Sequence, residues 1–194
     1  MRSQERIAFE DVLDRVYRLP DTIKEDLWQE VTIEKYSKKT HILEQYQIER
    51  HITFLYQGLI RAYQLQEEKE VSLDFRFSGD VMTAYTSYIS QKPSPVAIEA
   101  LEDCVVLKIP KTSVEALFDK YHEFERLGRL MTEHFYLRRV QREIEILSHS
   151  AEERYQHLLK REPNLVAKIP VKHLASYLGI HKQSLSRIRS KVRI

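Results

Sequence analysis

The sequence predicts an α+β fold: an N-terminal antiparallel β-roll, then one long helix, then an all-α C-terminal domain. Three observations carry this reading. Between Val31 and Ile109, short segments rich in β-branched and aromatic residues alternate apolar with polar, the period of half-buried strands. From Glu123 to Leu147 the chain is free of proline and repeats apolar residues at helical spacing. From Val171 onward, two short helical patterns flank Gly179. The boundaries drawn from these changes are residues 1–122, 123–148 and 149–194.

Composition narrows the function classes. Hydrophobic residues at 42% allow a real core, and charged residues at 31% describe a soluble chain. No run approaches the ~20 apolar residues of a membrane-spanning helix. The opening stretch MRSQERIAFEDVLDRV lacks the apolar core of a secretory signal, so a cytoplasmic protein with no membrane partner is expected. Cys104 stands alone, which excludes an internal disulfide and a multi-cysteine metal cage. There is no glycine-rich phosphate loop, metal-spaced His/Cys set or nucleophile motif, so no catalytic residue, metal site or cofactor is expected. Asp74 and Asp80 read as strand-edge and turn residues, and nothing in the spacing of Cys104 and the histidines favours haem.

Taken in order, Phe9 to Glu30 reads as helix, with Phe9, Val12, Leu13, Val16 and Tyr17 at helical spacing and Pro20 as an interruption. Val31–Tyr36, His51–Tyr56, Leu59–Leu65 and Glu70–Phe77 read as strands punctuated by Gly58 and Gly79, the pattern of a small barrel or roll. Lys111 to Phe118 reads as a short helix. The long helix carries two apolar stripes, one through Phe124, Leu127, Met131 and Phe135, the other through Leu130, Leu137, Val140, Ile144 and Leu147. One domain surface needs only one stripe. The second stripe calls for a partner helix or for burial between two domains of one chain.

Ser150, followed three residues later by Glu153, fits a capping box, and Pro163 ends that helix near Glu162. Leu165 to Ile169 is the one stretch in this region with strand character. Val171, Leu174, Ala175 and Leu178 then form one apolar stripe, and Gly179 suits a left-handed exit from a helix. A second helix from about His181 buries Leu185 and Ile188, with Ile180 in the turn. Lys182, Gln183, Ser184, Ser186, Arg187 and Arg189 are left on its outer surface. Two helices around a tight glycine turn, the second polar and basic outside, form the helix-turn-helix arrangement that reads a major groove. Charge agrees. Residues 151–194 hold ten Lys or Arg against three Glu, a net of +7, whereas the whole chain is +2, leaving −5 for residues 1–150. No acidic residue follows Glu162.

The stretch ASYLGIHKQSLSRIRSKV resembles the C-terminal helix-turn-helix of the CRP/FNR family of bacterial transcription regulators. The likeness extends upstream: FLYQGLIRAY, FRFSGDV and AIEALEDCVVLKIP are similar to the strands and turns of that family's cyclic nucleotide-binding-like β-roll. The resemblance implies that the long helix is a dimerisation helix in a parallel homodimer. The family usually forms a wing of strands around the helix-turn-helix; no full wing is expected after the recognition helix here, so the chain resembles a compact, wing-poor type.

Cyclic nucleotide binders of the family hold the ribose with a glycine–glutamate pair and the cyclic phosphate with an arginine. These elements fall here at Thr83 and Ala84, and at Ser94, Pro95 and Val96, so both the carboxylate and the arginine are missing. Lys92 lies close by without the fork geometry of a guanidinium. The expectation is a degenerate effector pocket that does not bind cyclic AMP in the usual way. Met82, Thr83, Ala84, Tyr85 and Ser94, with Tyr88, line it for an unknown effector or simply fill the core.

The expected function is a homodimeric regulator that binds double-stranded DNA, with RNA polymerase as a further partner if it activates. By the resemblance, Lys182, Gln183 and Arg187 reach base edges, while Ser184, Ser186 and Arg189 touch phosphates. Lys172 and His173 add backbone contacts. The alternative is an effector-less protein-interaction module with residual DNA binding.

Overall fold

The computed structural model describes residues 3–191, so the last three residues of the predicted DNA-binding domain, 192–194, lie outside the described residues. The chain opens with α1 (Gln4–Val16) and α2 (Asp21–Gln29). Ser3 caps α1 by accepting from the Arg6 amide at 3.3 Å, and α2 starts directly after Pro20. Phe9, Leu13, Ile23 and Leu27 are buried, and the Phe9 ring packs on Phe54 with centroids 5.3 Å apart.

The roll comprises β1 (Thr32–Tyr36), β2 (His41–Leu43), β3 (His51–Gln57), β4 (Leu59–Gln66), β5 (Lys69–Phe77), β6 (Asp80–Met82), β7 (Ala97–Ala100) and β8 (Cys104–Pro110). Between β6 and β7 lies the short helix α3 (Tyr85–Ser90). Two sheets form, ordered β1-β8-β3-β6 and β2-β7-β4-β5. The first is held by antiparallel pairing of β8 with β1, Thr32 opposite Lys108, and with β3, Phe54 opposite Leu107. Leu43, Leu55, Ile60, Met82, Ala84, Ile98, Ala100, Cys104 and Val106 make the roll core. Gly58 joins β3 to β4 at φ +113°, and a Cβ there would lie 2.5 Å from Cys104 Sγ and 2.8 Å from the Asp103 carbonyl oxygen. Only glycine fits so close a backbone approach at that angle.

After the roll come α4 (Lys111–Lys120) and α5 (His122–Ser148). Phe124 and Leu127 on α5 are buried, and the ring of Phe118 packs on Phe124. The other stripe is covered only in part: Leu130 and Val140 are half-buried, while Leu137 is 66% exposed, Ile144 47% and Leu147 78%. None of the described helices is long and apolar enough to cross a membrane.

The chain forms two compact units. One holds the chain up to Ala62 together with Phe75–His134, and the other holds Tyr63–Asp74 together with the chain from Phe135. The tip of the β4–β5 hairpin thus belongs to the second unit. Its turn places Glu67 and Glu68 at φ +46° and +65°, the left-handed pair of a two-residue hairpin loop.

The helices of the second unit are α6 (Ala151–Arg161), α7 (Pro163–Lys168), α8 (Val171–Tyr177) and α9 (Lys182–Lys191). The capping box is present at α6: Glu153 N–H donates to Ser150 Oγ at 3.3 Å and Ser150 N–H to Glu153 Oε2 at 2.8 Å. The strand expected over Leu165 to Ile169 is instead mostly α7. Pro163 sits in its first turn, where a fixed φ and a missing N–H cost nothing, and Leu165, Val166 and Ile169 are buried.

Candidate nucleic-acid interface

The site starts from the turn at Gly179. Its φ is +69°, its N–H donates to the Ser176 carbonyl at 3.0 Å, and Ile180 N–H donates to the Ala175 carbonyl at 3.0 Å. This paired bonding is a Schellman motif, which satisfies the last carbonyls of α8 and turns the chain into α9. Leu174, Ala175, Tyr177 and Leu178 bury the inner side of α8. Val171, expected in that stripe, is instead 37% exposed, while Tyr177 is buried beside Leu174, Ala175 and Leu178.

On α9, Leu185 and Ile188 are buried while Lys182, Gln183, Ser186 and Arg187 are exposed. Ser184 and Arg189 are half-buried. Lys182 and Arg187 have no salt-bridge partner among the described residues. Two positively charged side chains, an amide and a hydroxyl therefore share one open face, suited to base edges and phosphates. Arg189 is placed differently: its Nη2 donates to the Val166 carbonyl at 3.1 Å, tying α9 to α7. Lys172 and His173 lie on α8 near Glu70 of the hairpin tip, with Lys172 Nζ 3.5 Å and His173 Nδ1 4.0 Å from Glu70 Oε2.

Two arginines that the sequence did not single out hold the end of α8. Arg142 Nη2 donates to the Tyr177 carbonyl at 2.8 Å, and Arg154 donates to the Leu178 carbonyl through Nε at 3.2 Å and Nη2 at 3.0 Å. Cations at a helix C-terminus satisfy orphan carbonyls and oppose the negative end of the helix dipole. Beside them Glu145 is buried yet held below the usual carboxylate range. Burial pushes it up, but hydrogen bonds from Arg161 and Gln141 with the Arg161 charge outweigh this. Burial pushes the Tyr177 hydroxyl up.

In the roll, the expected pocket residues are engaged with the protein. Met82 and Ala84 are buried in the core. Thr83 Oγ1 donates to the His51 carbonyl at 3.0 Å. Ser94 is fully buried, its hydroxyl donating to the Val96 carbonyl at 2.8 Å and its amide to the Gln47 carbonyl at 2.8 Å. Tyr85 is 47% exposed, with its ring stacked on Tyr88 at 6.3 Å. The buried carboxylate of Glu49 faces this segment, accepting from the His51 amide at 3.0 Å and the Ala84 amide at 3.4 Å.

Residues 33–121 match the cyclic nucleotide-binding domain family. No curated protein matches the chain by sequence. Among solved structures, FixK2 from Bradyrhizobium japonicum is similar at 20% identity and TM-score 0.69, covering 84% of each chain. A putative transcriptional regulator of the CRP/FNR family from Eubacterium rectale has 21% identity and TM-score 0.66, covering 88% of this chain and 82% of that one. The c-di-GMP responsive global regulator CLP of Xanthomonas campestris has 14% identity and TM-score 0.67, covering 89% and 91%. At these identities the likeness establishes the shared fold.

Proposed function

From a roll of the cyclic nucleotide-binding type and a fold shared with CRP/FNR regulators, we propose that this chain is a homodimeric, sequence-specific DNA-binding transcription regulator acting in the cytoplasm. The observation that carries the reading is the open face of α9, where Lys182, Gln183, Ser186 and Arg187 project with no acidic residue after Glu162. Each subunit lays α9 in one major groove, and the two half-sites lie about one helical turn apart. Arg187 and Lys182 suit guanine O6 and N7, and Gln183 suits adenine N6 and N7. Ser184 and Ser186 contact phosphates, as do Lys172 and His173 from α8. Arg189 acts there too if its bond to Val166 opens, and otherwise it holds α9 in place. A second copy covers the stripe through Leu137, Ile144 and Leu147. Where the protein activates, RNA polymerase is its further partner.

The roll serves as a scaffold without a cyclic AMP site. No arginine stands at Ser94, Pro95 or Val96 to pair with a cyclic phosphate, Ser94 is consumed by its own turn, and the Glu49 carboxylate is tied to the His51 and Ala84 amides.

The test is selection of binding sites from a random duplex pool by purified protein with no added ligand. An enriched palindrome is the expected result, and it makes a small effector unnecessary. Weak, strongly salt-dependent binding to every duplex alike overturns the sequence-specific reading.

A further inference from the structure

The tip of the β4–β5 hairpin is fastened to α8 at two points. Ser176 Oγ on α8 donates to the Glu70 carbonyl at 2.9 Å and accepts from the Ser72 amide at 2.9 Å. One hydroxyl thus stitches the strand backbone to the helix, and Ser72 is buried at the seam. The stitch fixes where the Glu70 side chain goes: its carboxylate lies 3.5 Å from Lys172 Nζ and 4.0 Å from His173 Nδ1. At the base of the same hairpin, Arg138 of α5 reaches Asp74 at 3.8 Å and Glu162 at 3.4 Å.

We infer that Glu70 is an intramolecular stand-in for a DNA phosphate, so that the hairpin tip acts as a brake on duplex binding through Lys172 and His173. The inference rests on the reading of α8 and α9 as the DNA-binding face and names a regulation of that face. Carboxylate and phosphate oxygens compete for the same ammonium, because each offers an anionic acceptor and Lys172 carries one charge. While Glu70 holds Lys172, a phosphate approaching that side chain must either displace the carboxylate or share the cation with it. Magnitude decides how strong the brake is. The Lys172 side chain is 64% exposed, and an ion pair in that setting is weak. Glu70 therefore tunes affinity and does not abolish it. The hydroxyl stitch through Ser176 carries no charge, so it holds the hairpin in place whether or not Glu70 is ionised.

The experiment compares wild type, Glu70→Gln, the pair Lys172→Gln with His173→Gln, and the triple variant. Each is titrated with a short random-sequence duplex, and with the selected site, over a series of salt concentrations. Glu70→Gln keeps the backbone carbonyl that Ser176 uses, so protection of the Ser72 amide from hydrogen exchange reports that the hairpin is still docked. Expected is a gain in affinity of roughly 1.4-fold to fivefold at low salt, the range of one exposed ion pair. The salt slope steepens by about one released counterion. Both effects vanish when Lys172 and His173 are replaced. Equal affinity and slope for Glu70→Gln and wild type overturn the brake while leaving DNA binding intact. A gain that persists without Lys172 and His173 also overturns it, because the effect is then general electrostatics. If neither wild type nor Glu70→Gln binds any duplex, the DNA-binding reading falls and the brake with it.

Discussion

Arg142 Cζ lies 3.5 Å from the centre of the Tyr177 ring, and the same guanidinium donates to the Tyr177 carbonyl at 2.8 Å. One side chain of α5 therefore grips both the ring and the backbone at the end of α8, immediately before the Gly179 turn. A lost hydrogen bond to a charged donor and a lost cation–π contact together set the size of the effect. Arg142→Ala is expected to cost about 1–3 kcal/mol in urea unfolding followed by a probe in the second unit. Arg142→Lys keeps the charge without the planar fork and recovers less than half of that. An Arg142→Ala midpoint equal to wild type refutes the clamp.

Gly58 and Gly79 separate backbone strain from steric crowding. Both have positive φ, +113° and +92°, but an added Cβ meets Cys104 Sγ at 2.5 Å at Gly58 and nothing within 4 Å at Gly79. Gly79→Ala carries only the conformational cost, about 1–3 kcal/mol. Gly58→Ala carries that plus displacement of a buried sulfur and a carbonyl, and is expected to cost about 2 kcal/mol more. Equal losses for the two variants, measured by chemical denaturation, rule out the crowding argument.

These positions also show what sequence alone could reach. Gly58, Gly79 and Gly179 were legible as turns, because a glycine between apolar runs needs no partner to be recognised. The long helix and its two stripes were legible for the same reason, since periodicity is local. The first helix of the final pair starts at Val171 in both sequence and structure, and ends just before the Gly179 turn. What was missed depends on distant residues. The segments β2, β6 and α3 span only three to six residues, too few for a period to show. The stretch Leu165 to Ile169 suits either state, and packing of Leu165, Val166 and Ile169 decides for helix. The grip of Arg142 and Arg154 on α8, and the stitch of Ser176 to the hairpin, join residues 24 to 106 positions apart, and no spacing rule predicts them.

Tyr88 offers a pH test. Its side chain is buried and its hydroxyl has no hydrogen-bond partner among the described residues. Burial, with the Glu115 charge next in weight, pushes that hydroxyl from its ordinary value up to about 12. Below pH 10 both folded and unfolded chains keep the proton, so the group adds no pH dependence. Between about 10 and 12 the unfolded tyrosine ionises while the folded one does not, so the unfolded state is favoured and stability falls as pH rises. Tyr88→Phe removes this part of the alkaline loss. It is also expected to be neutral or up to about 1 kcal/mol stabilising at pH 7, since a buried hydroxyl without a partner is removed. Parallel urea curves of both proteins at pH 9 and pH 11 decide: an alkaline loss as large in Tyr88→Phe as in wild type defeats the assignment.

On α9, Arg187 and Arg189 differ in what their guanidinium groups are free to do. Arg187 is exposed, whereas Arg189 is bonded to the Val166 carbonyl. Arg187→Ala is expected to lose about 1–3 kcal/mol of binding to the selected site and to blur one base preference, with little change in stability. Arg189→Ala is expected to lower stability by about 1 kcal/mol and to weaken all duplexes alike. Binding assays on single-base variants of the selected site, run beside thermal unfolding, distinguish the two. If Arg187→Ala binds every sequence as well as the parent, its base-reading role is wrong.

The proposed dimer is tested at the partly exposed stripe of α5. Leu130, Leu137, Val140, Ile144 and Leu147 follow one another at intervals of seven, three, four and three, the a/d seam of two helices packed side by side. Leu137 and Leu147 are 66% and 78% exposed in the single chain, more than an isolated surface leucine needs to be to matter. Covering a leucine is worth about 1.5–3 kcal/mol, and a two-fold axis makes every substitution count twice. Leu137→Asp is therefore expected to weaken the dimer by about 3–6 kcal/mol, roughly 10²–10⁴-fold in its dissociation constant. Sedimentation equilibrium should then give a monomer where wild type is a dimer. If a dimer binds two half-sites jointly, as proposed, affinity for a palindrome should drop toward that of a single half-site, while the unfolding midpoint of the roll stays unchanged. A Leu137→Asp protein that sediments as wild type does would place the contact on another face and leave the stripe without a role in pairing.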